Sequence, residues 1–149
     1  MKSALLLLFG VLLVCISRAQ SAEDSIKATI NSLFDGMKAA DAMQIRSAFA
    51  DSALLQTVQT TKEGTRVRNE PLADFVASVS KLAKGDADER VVFETIKIDG
   101  ALATVWTPYK FYYKGNFSHC GVDSYQLVRI NGAWKIQYLI DTRRRTGCE

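Results

Sequence analysis

Histidine is nearly absent from this chain: His119 is the only one among 149 residues. Cysteine is scarce too, with Cys15, Cys120 and Cys148. A structural zinc site takes four nitrogen or sulfur ligands, so this donor set leaves too few, and neither a metal nor a cofactor is expected. Charge of one sign is also missing. The net charge of +3 falls to +1 once Lys2 and Arg18, the only charged residues before Gln20, are removed. Apart from Arg143-Arg144-Arg145 there is no basic stripe, so nucleic acid is not an expected partner. The longest apolar run, Ala4 to Ile16, falls short of the roughly 20 residues a spanning helix needs. No internal repeat, linker or low-complexity segment interrupts the chain.

What is present begins with a leader. Lys2 gives a positive start, Ala4 to Ile16 an apolar run, and Ser17-Arg18-Ala19 a small-x-small cleavage site. Residues 1–19 are therefore expected to be a secretory signal peptide, and 20–149 a single secreted or periplasmic domain with no integral membrane segment. About 130 residues suffice to bury roughly two-thirds of the surface of the unfolded chain. Leu12-Leu13-Val14-Cys15 faintly matches a lipoprotein box, but Val14 stands where a small residue is wanted; lipidation at Cys15 is the alternative fate of this segment. With Cys15 removed, an even count in an oxidising compartment favours a Cys120–Cys148 disulfide. The competing reading makes Cys120 a thiol nucleophile beside His119. It is disfavoured because neighbours on a strand point to opposite faces.

The first half of the domain reads as helix, helix, hairpin, helix. Ser21-Ala22-Glu23-Asp24 has the pattern of a capping box. Ile26, Ile30, Leu33, Phe34 and Met37 follow at helical spacing, with Gly36 weakening the end. Asp41 is placed to cap a short helix running through Phe49, with Met43, Ile45 and Phe49 as its apolar residues. Ala53 to Thr61 and Thr65 to Arg68 read as strands joined by Lys62-Glu63-Gly64. Asn69 is a plausible cap for a third helix with Pro71 in its first turn, and Leu72, Phe75, Val76, Val79 and Leu82 form its stripe. Lys84 to Asp88 reads as an exposed loop.

The last third reads as three consecutive hairpins. Asp99-Gly100 and Asn131-Gly132 lie between runs rich in β-branched and aromatic residues, the strongest short hairpin signal. Turn length sets register, and register sets which side chains share a face. A two-residue loop at Asn131-Gly132 pairs Leu127 with Ile136, Tyr125 with Tyr138 and Asp123 with Ile140. A three-residue loop from Lys114 to Asn116 pairs Tyr113 with Phe117, Phe111 with His119, Tyr109 with Gly121 and Val105 with Tyr125. The Asp99-Gly100 turn places Ile96 beside Ala103 and Glu94 beside Val105. A bulge is expected at Thr107-Pro108, because Pro108 cannot donate to the ladder. In this register Cys120 lies opposite Arg143, and Arg144 opposite His119. The face so defined is mostly apolar and is taken as the core face, with Glu94, Thr107, His119 and Asp123 as its polar members. Asp141 and Arg143 fall on the opposite face as a salt bridge at the sheet end.

The economical packing is α+β: a curved antiparallel sheet wrapped around about three N-terminal helices. This order and length resemble the nuclear transport factor 2-like superfamily, a cone-shaped fold. The run PYKFYYKGNFSHCGVDSYQLV, with DTRRRTGC, is similar to that superfamily's secreted branch, called putative lumazine-binding or polyketide-cyclase-like. The resemblance implies the cone fold, a concave pocket between sheet and helices, and frequent homodimerisation through the convex face. It implies no established substrate.

His119 is a candidate acid, base or ligand-orienting donor, because its pKa lies near neutrality. It reads equally as a structural imidazole. Asp123 is either a general base or polar anchor, or a core aspartate tied to Thr107, Tyr109 or Tyr125. About 13 Å of strand separates it from His119, so the two form no direct dyad, and Gly121 would leave room for a ligand between them. Tyr109, Tyr125 and Tyr138 are candidate hydroxyl donors in an apolar wall that also holds Phe111, with Glu94 a candidate pocket carboxylate. Such walls suit a flat hydrophobic or aromatic ligand with a few oxygens. Asn116-Phe117-Ser118 has the sequon pattern. The reading is thus a small-molecule-binding domain. Its alternatives are a lyase, isomerase or cyclase acting on a small aromatic or polycyclic ketone, with Asp123 moving a proton and Tyr109 or His119 stabilising an oxyanion, and a structural dimerisation module.

Overall fold

A computed structural model describes residues 17–148 of the chain. The expected leader lies almost wholly outside the described residues, as does Cys15. Helix α1 (Ser17–Ala39) carries Ile26, Ile30, Leu33, Phe34 and Met37 on one buried stripe. It begins ahead of Ser21, so the expected capping box lies inside the helix. A tight corner follows, with Ala40 at φ 53°, and Asp41 caps α2 (Ala42–Ser47) by accepting from the amides of Met43 and Gln44. This helix is shorter than expected. Phe49 already belongs to strand β1 (Phe49–Thr61), and Met43 is 82% exposed. Gly36 is where α1 and α2 meet: a Cβ there would stand 2.9 Å from the amide nitrogen of Ile45.

Strand β1 turns into β2 (Gly64–Glu70), which takes in Asn69; the cap position of α3 (Leu72–Val79) passes instead to Pro71. Phe75, Val76 and Leu82 pack against the core, and Val79 is buried in it. Strands β3 (Ala87–Val91), β4 (Thr95–Asp99), β5 (Leu102–Tyr113), β6 (Asn116–Ile130) and β7 (Ala133–Thr142) complete the chain. The sheet order is β2-β1-β7-β6-β5-β3, with β4 also on β5. It is a mixed sheet rather than an antiparallel one, because β1 runs parallel to β7. Sequence-adjacent hairpins could not announce that pairing; it arises because the first hairpin closes onto the last strand. The helices cover one face, and the core lies between them and the sheet.

The hairpin registers hold in part, and bulges decide the rest. Ile130 pairs with Ala133 and Leu127 with Ile136, as the Asn131-Gly132 turn predicts. Beyond Leu127 the ladder shifts by one: Gln126 pairs with Tyr138, leaving Gln137 as the extra residue. Tyr125 therefore meets Leu139 rather than Tyr138, and Asp123 meets Asp141 rather than Ile140. At the β5–β6 turn the loop has two residues, Tyr113 pairing with Asn116, and Ser118 is the extra residue between Phe117 and His119. The shorter loop and the bulge cancel, so Phe111 faces His119 and Tyr109 faces Gly121 as expected. At the other end Asp99 pairs with Leu102, so Ile96 meets Val105. No register shift occurs at Thr107-Pro108, which pair straight across with Asp123 and Val122. The irregularity sits on the neighbouring strand, in the gap between β3 and β4 that faces Pro108. There the Pro108 carbonyl accepts from Val92 at 2.9 Å.

Cys120 and Cys148 form a disulfide. The Cys120 backbone also bridges to Arg144, not Arg143, which is the same one-residue shift carried into the tail. Closing this loop contributes about 3–4 kcal/mol in the chain-entropy picture.

Candidate functional site

A cavity of about 200 Å3 opens between α1, α3 and the sheet. Its helix side is mostly apolar: Leu33, Phe34 and Met37 from α1, Phe75 and Val79 from α3, with Ser78 the polar exception. Its strand side carries the chemistry. Tyr109, Phe111, His119 and Asp123 all line it, as their register predicts, together with Glu89, Asp141 and Arg143.

Three expected residues, Tyr138, Glu94 and Tyr125, do not line it. Tyr138 is turned away by the bulge at Gln137, and its hydroxyl donates to Gln56 Oε1 at 2.6 Å. Glu94 is exposed. Ala87, Val91 and Phe93 reach the core and Glu89 the cavity, so the extra residue between β3 and β4 turns Glu94 outward. Each bulge exchanges one polar group for another: Glu89 enters where Glu94 was expected, and Asp141 enters as Tyr138 leaves. Tyr125 is fully buried behind the wall, where it holds Asp123. Arg144 lies across from Cys120 and is no neighbour of His119.

Asp123, 4% exposed, is the best-held group. Its Oδ2 accepts from Tyr125 Oη at 2.9 Å and from Thr107 Oγ1 at 3.4 Å. The Glu89 carboxyl lies beside it, close enough for the two to share a proton. Two carboxyls in contact away from water cannot both ionise at low cost. Burial pushes Asp123 up to about 7, against the pull of the Tyr125 hydrogen bond. Burial, reinforced by the Asp123 charge, pushes Glu89 well above the usual carboxylate range. The pair therefore keeps a proton at neutrality, shared between the two carboxyls.

Asp141 stands directly across the ladder from Asp123. Like charges in that position repel, and Arg143 offsets this by donating to Asp141 Oδ2 at 2.7 Å. The same guanidinium reaches Thr57 Oγ1 at 3.3 Å. Expected as a surface bridge, this pair forms the cavity's rim. Tyr109 donates to the Thr142 carbonyl at 2.9 Å and to Asp141 Oδ2 at 3.3 Å. Burial, followed by the charge of Asp141, raises its pKa and keeps the phenol protonated. Gly121 makes this possible. A Cβ there would lie 1.7 Å from the Thr142 oxygen and 2.8 Å from the Tyr109 ring. The space beside Gly121 is thus filled by protein and not left for a ligand.

His119 packs between Tyr109 (5.7 Å between ring centroids) and Phe111 (5.0 Å). The bulge at Ser118 brings that hydroxyl within 3.0 Å of His119 Nδ1, a contact between sequence neighbours that a regular strand would forbid. Burial and the Arg143 charge lower its pKa, so the ring is neutral at pH 7. Among the described residues no group of three or more His, Cys, Asp or Glu side chains is arranged to hold a metal ion, and no helix is long and apolar enough to cross a membrane.

The family model "Putative lumazine-binding" matches residues 21–138. No curated protein matches the chain. Among solved structures, a nuclear transport factor 2-like protein of unknown function from Shewanella baltica superposes with a TM-score of 0.66 at 16% identity, covering 87% of this chain and 98% of that one. A nuclear transport factor 2-like protein with a cystatin-like fold from Novosphingobium aromaticivorans gives 0.67 at 12% identity, covering 91% and 90%. A domain of unknown function with a cystatin-like fold from Nostoc punctiforme gives 0.65 at 16%, covering 84% and 78%. At these identities the likeness speaks for the fold alone. The match over most of the domain, on a cone of helices and curved sheet, makes this chain a member of the putative lumazine-binding family within the nuclear transport factor 2-like superfamily.

Proposed function

We propose that the chain is a secreted domain that binds a small, flat, largely apolar molecule in the cavity between α1, α3 and the sheet, and that it binds this molecule without turning it over. The observation that carries the reading is the two-sided cavity, with an apolar helix wall and a few convergent polar groups opposite, the usual make-up of a small-molecule site. The family's description, which names lumazine, a flat bicyclic compound, favours the same ligand class. The leader pattern and the disulfide support an oxidising compartment. Leu102, Trp106 and Ile130 remain exposed on the outer face of the sheet and support homodimerisation there.

The enzyme reading draws support from one observation, the Glu89–Asp123 pair, whose proton sits in the range a general base needs. Against it, the hydroxyls that would stabilise an oxyanion are already committed. Tyr109 donates to Thr142 and Asp141, and Tyr125 to Asp123. Native mass spectrometry of protein purified from its own source tests the binding reading. The expected result is a retained small molecule, released on unfolding and lost in a Val79→Trp variant that fills the cavity. Protein that carries nothing, and whose melting temperature no flat aromatic compound shifts, would overturn it. Turnover of a ketone that Asp123→Asn abolishes would replace it with the enzyme.

A further inference from the structure

We infer that the ligand is an organic cation: a protonated amine on a flat apolar body, with the ammonium group seated between Asp141 and Glu89. This rests on the cavity being a ligand site and specifies what enters it. The argument is a count of hydrogen-bonding capacity. The hydroxyl donors around Asp123 and Asp141 are turned onto the protein's own acceptors: Tyr109 onto Thr142 and Asp141, and, behind the wall, Tyr125 and Thr107 onto Asp123, while Thr57 farther along the wall accepts from Arg143. Glu89 lines the cavity beside Asp123, and the proton the two carboxyls share stays between them. What the stretch of wall between Glu89 and Asp141 still offers is acceptor capacity. Both hydrogen bonds that Asp141 receives fall on Oδ2, which leaves Oδ1 of a carboxylate only 8% exposed. Glu89 has an oxygen left over once the other shares that proton. A ligand that fits brings donors, and an ammonium group brings three with the charge that strengthens them.

The charges agree. Glu89 on β3, Asp123 on β6 and Asp141 on β7 face the cavity, with Glu70 at the end of β2. Arg143 in the tail is the one cation among these lining residues, and Asp141 already pairs with it. His119 is neutral, and Tyr109 is a protonated phenol. The α1 and α3 residues that line the cavity carry no ionisable side chain. Their rings and aliphatic chains suit a flat body, and Phe34, Phe75 and Phe111 add aromatic faces that attract a cation. Seating a cation beside Glu89 and Asp123 favours their ionised forms, so binding expels a proton and tightens as pH rises.

Isothermal titration calorimetry of the full, disulfide-bonded domain with three probes of one shape tests this: 1-naphthylmethylamine, 1-naphthylmethanol and 1-naphthoate. At pH 8 the amine is expected to bind about tenfold tighter than the alcohol, the margin of one charge-assisted over one neutral hydrogen bond, and the carboxylate more weakly than either. Lowering the pH to 6 should narrow that margin while leaving the alcohol unchanged, and titrations in buffers of different ionisation enthalpy should show protons released with the amine alone. Glu89→Gln should remove the amine's advantage over the alcohol. Asp141→Asn is the second variant should the first fail to fold. Equal affinity for amine and alcohol, or preference for the carboxylate, would overturn the cation and leave the ligand site standing. If none of the three binds to folded protein, both fall.

Discussion

The two walls of the cavity are made by different rules. The helix wall is built from Leu33, Phe34, Met37, Phe75 and Val79, spaced by the helical repeat, and its role is volume and exclusion of water. The strand wall is built from Glu89, Tyr109, His119, Asp123 and Asp141, and every one of them depends on the pairing of its strand. A residue on a helix faces the core because of its own spacing. A residue on a strand faces the core only if the neighbouring strands agree on register, and a single extra residue reverses that. The apolar wall is therefore robust and uninformative, while the polar wall is specific and sensitive to one-residue shifts.

That contrast is open to test, beginning with the largest effect. Gly121→Ala drives a methyl into the Thr142 carbonyl and the Tyr109 ring. Overpacking against backbone should cost about 3 kcal/mol, read as a fall in the urea midpoint, with the ring of Tyr109 displaced. If stability is unchanged, the strand wall is less tightly fitted than described. On the other wall, Leu33→Ala removes a side chain 1% exposed and should cost about 2–3 kcal/mol. It should enlarge the cavity yet leave the preference among charged and neutral probes untouched; a changed preference would mean that the helix wall also selects.

The third test uses pH. Glu89 and Asp123 have raised pKa values in the folded chain, so between pH 4 and about 7 the folded state binds more protons than the unfolded one. Stability from this pair is fully present below pH 4 and is lost as pH rises through the folded values. Relative to a Glu89→Gln/Asp123→Asn double variant, the wild type should lose about 3 kcal/mol between pH 5 and pH 8. A flat difference would mean that the carboxyls do not share a proton. The smallest effect is expected from Tyr138→Phe, which deletes one hydrogen bond to Gln56. It should cost under about 1 kcal/mol and leave ligand binding unaltered. A loss of binding would return Tyr138 to the site.

The strand wall was legible in proportion to its distance from a bulge. Phe111, His119, Tyr109 and Asp123 could be placed because the short loop at Lys114-Gly115 and the extra residue at Ser118 cancel. Tyr138 and Glu94 were misplaced because nothing cancels the extra residues at Gln137 and between β3 and β4. Glu89 had a signal that could have been read: pairing 87–91 as a strand against Tyr109–Tyr113 sets it beside Phe111. Asp141 had none, because Gln137 carries no local mark of a bulge. The parallel partner that helps set the register of β7 there is β1, some eighty residues earlier in the chain.

By itself, the sequence determined the stripes of α1 and α3, the turn at Asn131-Gly132, the cysteine pair and the α+β class, because spacing, turn chemistry and cysteine parity are local or countable properties. Only the tertiary structure decided that the sheet is mixed, that Glu89 and Asp141 join Asp123 while Glu94 and Tyr138 leave, and that Gly121 makes room for Tyr109 rather than for a ligand. The reason is physical: side chains alternate at every residue along a strand, so a bulge that costs little where it occurs reverses the facing of everything beyond it, and long-range packing selects which bulges are kept.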